Sequence, residues 1–156
     1  MSTNEHARYM SLALEAARAA GRAGNRPIAS VIVREGEILG QGQNTMFSDL
    51  DPSAHAEIAA LRDACGRLKT LDLSGSTLYT TIEPCPMCFW AMQEAKVARL
   101  VLGGRYAGLG RTDLGHYNVE SFMEFTGRRF ELVTGVLQKE CEQVRRDWDE
   151  AQRKLR

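Results

Sequence analysis

The sequence predicts an α/β protein, specifically a three-layer α/β/α sandwich around a central mixed sheet of five strands. Apolar strands alternate with helical stretches along most of the chain, which is typical of helices packed on both faces of a sheet. The first two strands are separated only by the short Gly-containing turn 34–37 and form a hairpin. The predicted sheet must therefore contain antiparallel as well as parallel pairs of neighbouring strands.

The elements follow in order from local patterns. Apolar residues at helical spacing indicate the first helix, with Gly21 and Gly24 as stops. A turn at 51–53 caps the second helix, and Glu83-Pro84 separates a β-branched strand from the third. An apolar stripe marks a terminal helix. The predicted ranges are helix 10–20, strands 28–33 and 38–43, helix 54–65, strand 77–82, helix 85–95, strands 99–103 and 130–133, and helix 137–155.

Length and composition predict a single domain over residues 1–156. The chain has 44% hydrophobic and 26% charged residues, and no repeat or linker divides it. Its 20 basic and 20 acidic residues cancel, which disfavours a broad nucleic-acid or membrane surface without excluding a local basic groove. The first ten residues lack the features of a targeting segment, and no apolar run reaches membrane-spanning length, so we expect a cytoplasmic protein with no membrane partner.

The four cysteines are too few and too unevenly spaced for a disulfide framework. Cys65 and Cys141 lie on apolar helix faces, where we expect them to be buried. Cys85 and Cys88 form a Cys-x-x-Cys pair at a helix start, which suits a structural zinc knuckle, a redox dithiol or two ligands of a catalytic metal. A structural zinc knuckle would need a second close pair of cysteines, which the chain lacks. A redox dithiol of the thioredoxin type would need a proline later in the chain, and no proline follows residue 86.

The other residues that a catalytic metal site requires are also present in the sequence. His55 begins the preceding helix and offers a third ligand, which leaves a fourth position for water. Glu57, two residues further on, can move protons. His-x-Glu followed about thirty residues later by Pro-Cys-x-x-Cys is a known signature of zinc deaminases.

The chain resembles the cytidine and deoxycytidylate deaminase superfamily, on its nucleobase and tRNA-adenosine side. The matching stretches are 27–33, Asn44, 55–58 and 77–88. The resemblance implies a cytidine deaminase-like fold, Zn²⁺ held by His55, Cys85 and Cys88, and Glu57 as proton shuttle. It also implies that Asn44 hydrogen-bonds the base, that the Glu57 amide and the Glu83 carbonyl contact it, and that the protein is a homodimer or a larger homo-oligomer.

A small pocket closed by an aromatic side chain is expected for a free base. The predicted substrate-binding residues are Asn44, Ile28, Glu83, Tyr106, Asp113 and Trp148. Trp148 also continues the stripe of the terminal helix, so packing in the core competes with a role in the pocket.

The predicted function is hydrolytic deamination of a free nucleobase, with cytosine ahead of guanine. Stretches 44–47, 65–68 and 122–133 resemble cytosine deaminases. Deamination of tRNA adenosine is the alternative, disfavoured because 89–91 and 103–106 depart from the pattern of those enzymes and because the net charge is zero. A non-catalytic zinc or thiol-redox module is the alternative from another class. It would release no ammonia.

Overall fold

The computed structural model describes residues 2–156. Within this range five strands and six helices follow one another: α1 (Thr3–Arg22), β1 (Ala29–Arg34), β2 (Glu37–Gln43), α2 (Met46–Asp49), α3 (Ala56–Leu68), β3 (Thr77–Ile82), α4 (Pro86–Glu94), β4 (Arg99–Gly104), α5 (Val119–Thr126), β5 (Glu131–Val133) and α6 (Gln138–Lys154). Among these residues, no helix is long and apolar enough to cross a membrane.

The strands form one mixed sheet in the order β2-β1-β3-β4-β5. β1 is antiparallel to β2 and β3, whereas β3, β4 and β5 are mutually parallel neighbours. The predicted hairpin and mixed sheet are confirmed.

Two apolar clusters, one on each face of the sheet, make the three layers. On one face, Leu78 and Leu100 pack with residues of α3, α4 and α5. On the other, Tyr79 and Val101 pack with residues of α1 and α6. Successive side chains of a strand point to opposite faces, which is why neighbours in β3 and β4 belong to different clusters.

Helix α3 lies unusually close to the sheet because β2 carries glycines beneath it. A Cβ added to Gly42 would lie 2.4 Å from the Ala60 nitrogen, and one added to Gly40 would lie 2.6 Å from the Ala60 oxygen. The missing side chains let the helix backbone rest on the strand. This contact sets the position of the first turn of α3, where His55 and Glu57 lie.

Two helices were not predicted. The single turn α2 is too short to show a periodic pattern. α5 has eight residues between the predicted strands 99–103 and 130–133, where no helix was predicted, but its ends carry recognisable caps: Asn118 and Ser121 form a capping box, and Gly127 ends the helix at a φ of 70°. Those caps could have revealed α5 from the sequence.

Candidate metal centre and active site

Three side chains converge where α3 and α4 begin. His55 is the N-cap of α3, Cys85 is the N-cap of α4, and Cys88 lies in the first turn of α4. Nδ1 of His55 lies 3.5 Å from Sγ of Cys85 and 3.5 Å from Sγ of Cys88. Tetrahedral zinc with bonds of about 2.0 to 2.3 Å holds nitrogen and sulfur ligands about 3.5 Å apart. The separations and donor types therefore fit a single zinc ion.

The surroundings favour the thiolate form of Cys85, whereas the hydrogen bond with Cys85 and burial raise the pKa of Cys88. Both cysteines lie at the positive end of the α4 dipole. Hydrogen bonds with Cys88 and with the His55 ring together lower the pKa of the Cys85 thiol to about 4. The negative sulfur of Cys85 in turn raises the pKa of His55.

Glu57 is buried beside His55 and Cys85, in the first turn of α3. Burial, followed by the negative charge of Cys85, raises the pKa of its carboxyl group. Thr80 on β3 lies within 3.0 Å of Glu57 Oε1 and donates its hydroxyl proton to it or to the Ile82 carbonyl. The sequence interpretation did not single out Thr80, which the β3 pattern alone presents as another β-branched strand residue.

A cavity of about 200 Å³ adjoins these groups. Its lining includes His55, Glu57 and Cys85 together with four of the predicted substrate-binding residues, which are Ile28, Asn44, Glu83 and Tyr106. Residues that the sequence interpretation did not assign to the site complete the lining, and these are Arg26, Ala56, Arg111 and Leu114.

Asn44 is buried and held in one orientation. Its main-chain nitrogen donates to the Ile28 carbonyl over 2.9 Å, and its Oδ1 accepts from the Met46 amide over 3.1 Å. Because Oδ1 is occupied, the Nδ2 group is the donor that Asn44 can offer to a ligand.

Glu83 uses its carboxylate for structure. Oε1 accepts from Arg105 Nε over 2.9 Å and from the Tyr106 amide over 3.3 Å, while Oε2 accepts from Arg105 Nη2 and from the Val119 amide. These four donors fill the acceptor capacity of the carboxylate. Glu83 thereby ties the loop after β4 and the start of α5 to the cysteine turn, and its carboxylate is fully used by these contacts.

The structure places Asp113 and Trp148 outside the cavity. Asp113 is exposed and pairs with Arg111, which does line the cavity and whose guanidinium lies 4.9 Å from the centre of the Tyr106 ring. Trp148 is half-buried on α6 and lines a neighbouring groove. The periodicity of the terminal helix predicted the helix face on which Trp148 lies. It could not predict which surface depression that face borders.

Comparison with known proteins agrees with this geometry. Residues 3–104 match the family model "cytidine and deoxycytidylate deaminase zinc-binding region". A tRNA-specific adenosine deaminase of Buchnera aphidicola is 32% identical over 92% of this chain and 93% of its own length. A structure from a study of A-to-I editing by tRNA:A34 deaminases is 33% identical, with a TM-score of 0.76 over 88% of this chain and 98% of that chain. The guanine deaminase of Nitrosomonas europaea is 28% identical, with a TM-score of 0.81 over 92% of this chain and 84% of that chain.

Fold and site together define a zinc-dependent hydrolytic deaminase. The chain belongs to the cytidine and deoxycytidylate deaminase family. The predicted fold and the predicted zinc cofactor are thus confirmed.

The predicted substrate is wrong. A free nucleobase with cytosine ahead of guanine was expected, but the relative that matches nearly the whole chain is named a tRNA-specific adenosine deaminase, and the editing-study structure agrees. The prediction rested on the resemblance of 44–47, 65–68 and 122–133 to cytosine deaminases, on the departures at 89–91 and 103–106, and on the zero net charge, and the last of these is weak evidence against a nucleic acid. Net charge is a sum over the whole surface, whereas a polyanion contacts only part of it.

Proposed function

We propose that this protein deaminates adenosine in tRNA to inosine and releases ammonia. The observation that carries the proposal is the match to a tRNA-specific adenosine deaminase over nine-tenths of both chains. The cavity has His55 and Cys85 in its wall, so a base that leaves the stack of a polynucleotide reaches the metal site there. A tRNA substrate also agrees with the predicted cytoplasmic location.

We assign the metal to His55, Cys85 and Cys88 and the proton transfers to Glu57. When bound, zinc supplies the Lewis acidity that brings the pKa of a water to about 7. The Glu57 carboxylate then accepts a proton from the attacking water, whose oxygen bonds to C6 of adenine, and delivers it to ring nitrogen N1. As the C6–N6 bond breaks, Glu57 passes the remaining proton to the departing amine, which leaves as ammonia.

The other cavity residues orient the base. Asn44 Nδ2 donates to an acceptor nitrogen of adenine, and the Ile28 and Tyr106 side chains offer apolar and aromatic contacts to its ring. Arg26 and Arg111 also line the cavity and bring positive charge to a site that must admit a nucleotide with its phosphates. Burial, and then the charges of Arg145 and Arg111, lower the pKa of Arg26, as expected where cations cluster.

The decisive assay compares tRNA with free bases. Zinc-loaded protein is incubated with adenosine-containing tRNA transcripts, and inosine is measured by mass spectrometry of the digested RNA. In parallel, ammonia release is measured from cytosine, guanine, adenine and their nucleosides. We expect inosine in tRNA and no ammonia from free bases. Ammonia from a free base without inosine in any tRNA would refute the proposal.

The Glu57→Gln variant tests the assigned proton transfers. It keeps the size of the side chain but removes the carboxylate, so we expect it to retain zinc and fold and to lose turnover. Inosine formation near the wild-type rate would contradict the role of Glu57.

We also propose that the protein is a homodimer. An apolar groove between α3 and α4 is lined by Ile58, Leu61, Leu71 and Ala91, and Leu71 has 80% of its surface exposed. Arg62 and Glu94 line the same groove. A twofold interface is self-complementary, so Arg62 of one copy can meet Glu94 of the other while the apolar residues are buried.

Sedimentation analysis tests the dimer. Leu71→Glu places a charge in the apolar groove, and we expect it to shift the wild-type dimer towards monomer. Leu50→Glu, at an equally exposed leucine outside the groove, serves as the control and should sediment like the wild type. A monomeric wild-type protein at micromolar concentration would rule out the dimer.

A further inference from the structure

The carboxylate of Glu142 is buried between α6 and the loop 105–118, which joins β4 to α5. Glu142 is 6% exposed, and three donors reach its two oxygens. Gln138 Nε2 donates to Oε1 over 2.8 Å, and Arg146 Nη2 donates to Oε2 over 3.0 Å. These two residues lie one helical turn before and after Glu142 on the same face of α6. Together they hold the carboxylate in one orientation.

The third donor belongs to the loop. It is the main-chain nitrogen of Arg105, which lies 3.1 Å from Glu142 Oε1. The next amide, that of Tyr106, donates to Oε1 of Glu83 over 3.3 Å. Two consecutive loop amides are thus held by carboxylates of two different elements, α6 and the cysteine turn, and hydrogen bonds to charged acceptors are the stronger ones. Tyr106 is 7% exposed and lines the catalytic cavity, so this double attachment fixes part of the cavity wall.

Gly108 lets the same loop lie directly against the Glu142 carboxylate. A Cβ added to Gly108 would lie 2.2 Å from Oε1 and 2.5 Å from Cδ of Glu142. Arg146 Nη2 also donates to the Gly108 carbonyl over 2.6 Å, so its guanidinium joins the loop to the carboxylate. Gly108 does not have a positive φ. Glycine is therefore required at this position for the close approach and not for an unusual backbone conformation.

We propose that Glu142 is a positioning residue, which fixes Tyr106 in the wall of the catalytic cavity through the Arg105 amide. Glu142 itself does not line the cavity. It acts on the shape of the wall against which the base lies. The inference rests on the proposed function in taking Tyr106 as a contact of the base. It adds a role for a buried acid that the zinc chemistry does not use.

Amide hydrogen exchange of the zinc-loaded protein, resolved by NMR, tests the anchor without any substrate. Glu142→Ala deprives the Arg105 amide of its acceptor, and we expect that amide to exchange about tenfold faster. Glu142→Gln keeps an acceptor oxygen, so exchange should stay close to that of the wild type. Glu150→Ala is the matched control, since Glu150 is an exposed acid of the same helix and also pairs with a residue four positions away, Lys154.

Steady-state deamination kinetics test the effect on Tyr106, with whichever substrate the wild type converts. We expect Glu142→Ala to raise KM about tenfold and to change kcat by less than about twofold, because a displaced ring weakens binding of the base and leaves Glu57 in place. Glu142→Gln should restore KM, and Glu150→Ala should not alter it. A fall in kcat at constant KM would indicate a merely structural role and would overturn the proposal.

Gly108→Ala disturbs the same contact from the side of the loop. Its Cβ displaces the Glu142 carboxylate, so we expect the exchange at Arg105 and the KM to rise as in Glu142→Ala. The double variant should differ little from either single variant, since each removes one shared contact. Additive effects on KM, or unchanged exchange at Arg105 in Glu142→Ala, would refute the proposed role. Zinc content and thermal unfolding are measured for each variant to establish folding.

The two proposals fail separately. A KM for a free base that rises in Glu142→Ala, without inosine in any tRNA, would support the role of Glu142 and refute the adenosine substrate. Inosine formation with a KM that Glu142→Ala leaves unchanged would refute the role of Glu142 and keep the proposed function. Absence of turnover with every substrate would refute both.

Discussion

Glu57 depends on its neighbours for its position. Its carboxylate is buried, its pKa is raised by that burial, and the Thr80 hydroxyl lies 3.0 Å away on a strand rather than on its own helix. A group that must both accept and donate a proton needs one fixed orientation towards its substrate. We therefore infer that Thr80 positions Glu57 for its proposed role.

Thr80→Val tests that role. Valine keeps the shape but removes the hydroxyl, and we expect kcat to fall about tenfold, since a hydrogen bond to a charged group contributes about 1.5 kcal/mol. KM should change by less than about twofold, because Thr80 does not line the cavity. Thr80→Ser should restore kcat. A parallel rise in KM, or no rescue by serine, would indicate a merely structural role.

At the scale of elements, the site depends on how closely α3 approaches the sheet. The strand beneath it has glycine at 40 and 42, and the helix backbone fills the space of the absent side chains. Gly66 differs, because it lies within α3 itself and a Cβ added there would meet no heavy atom within 4 Å. Substitution by alanine should therefore change the free energy of unfolding in opposite directions at Gly42 and at Gly66.

We expect Gly42→Ala to lower the free energy of unfolding by about 1 to 3 kcal/mol through overpacking. Gly66→Ala should raise it by about 0.5 to 1 kcal/mol, because alanine is the better helix former at an open position. Urea unfolding of the two variants beside the wild type measures both effects. A tolerated Gly42→Ala would mean that α3 is not held by this contact.

For the whole molecule, the proposed metal ligands connect two helices that are distant in sequence. His55 opens α3 and the cysteines open α4, so a bound ion stabilises the native arrangement and not the unfolded chain. We expect a chelator to lower Tm by about 10 °C, since metal at a thousandfold excess over its Kd contributes about 4 kcal/mol.

Two cysteine variants control the chelation experiment. Cys88→Ser removes a proposed ligand, so its Tm should no longer respond to the chelator. Cys65→Ser changes a cysteine outside the metal site and should respond like the wild type. An unchanged Tm of the wild type after complete removal of zinc would contradict the stabilising role of the metal.

The charge distribution is also a property of the whole molecule. The formal net charge is zero, yet the groove that Trp148 lines has four arginines and one aspartate in its wall. Arg26 precedes β1, whereas Arg145, Arg153 and Arg156 belong to α6 or follow it, so only the fold brings them together. Amino-acid composition alone cannot distinguish this clustered arrangement from a surface on which basic and acidic residues are evenly mixed.

Sequence alone was sufficient for the strands, for most helices and for the grouping of His55, Glu57, Cys85 and Cys88, because each follows from local periodicity or from a short motif at a helix start. Only the tertiary structure separated Asp113 and Trp148 from the cavity and joined Arg26 to Arg145 and Phe47 to Trp148. Those relations depend on packing between segments about a hundred residues apart. Local patterns do not encode such contacts. Both depressions are formed by residues that lie far apart in the sequence, so only the tertiary structure could show them.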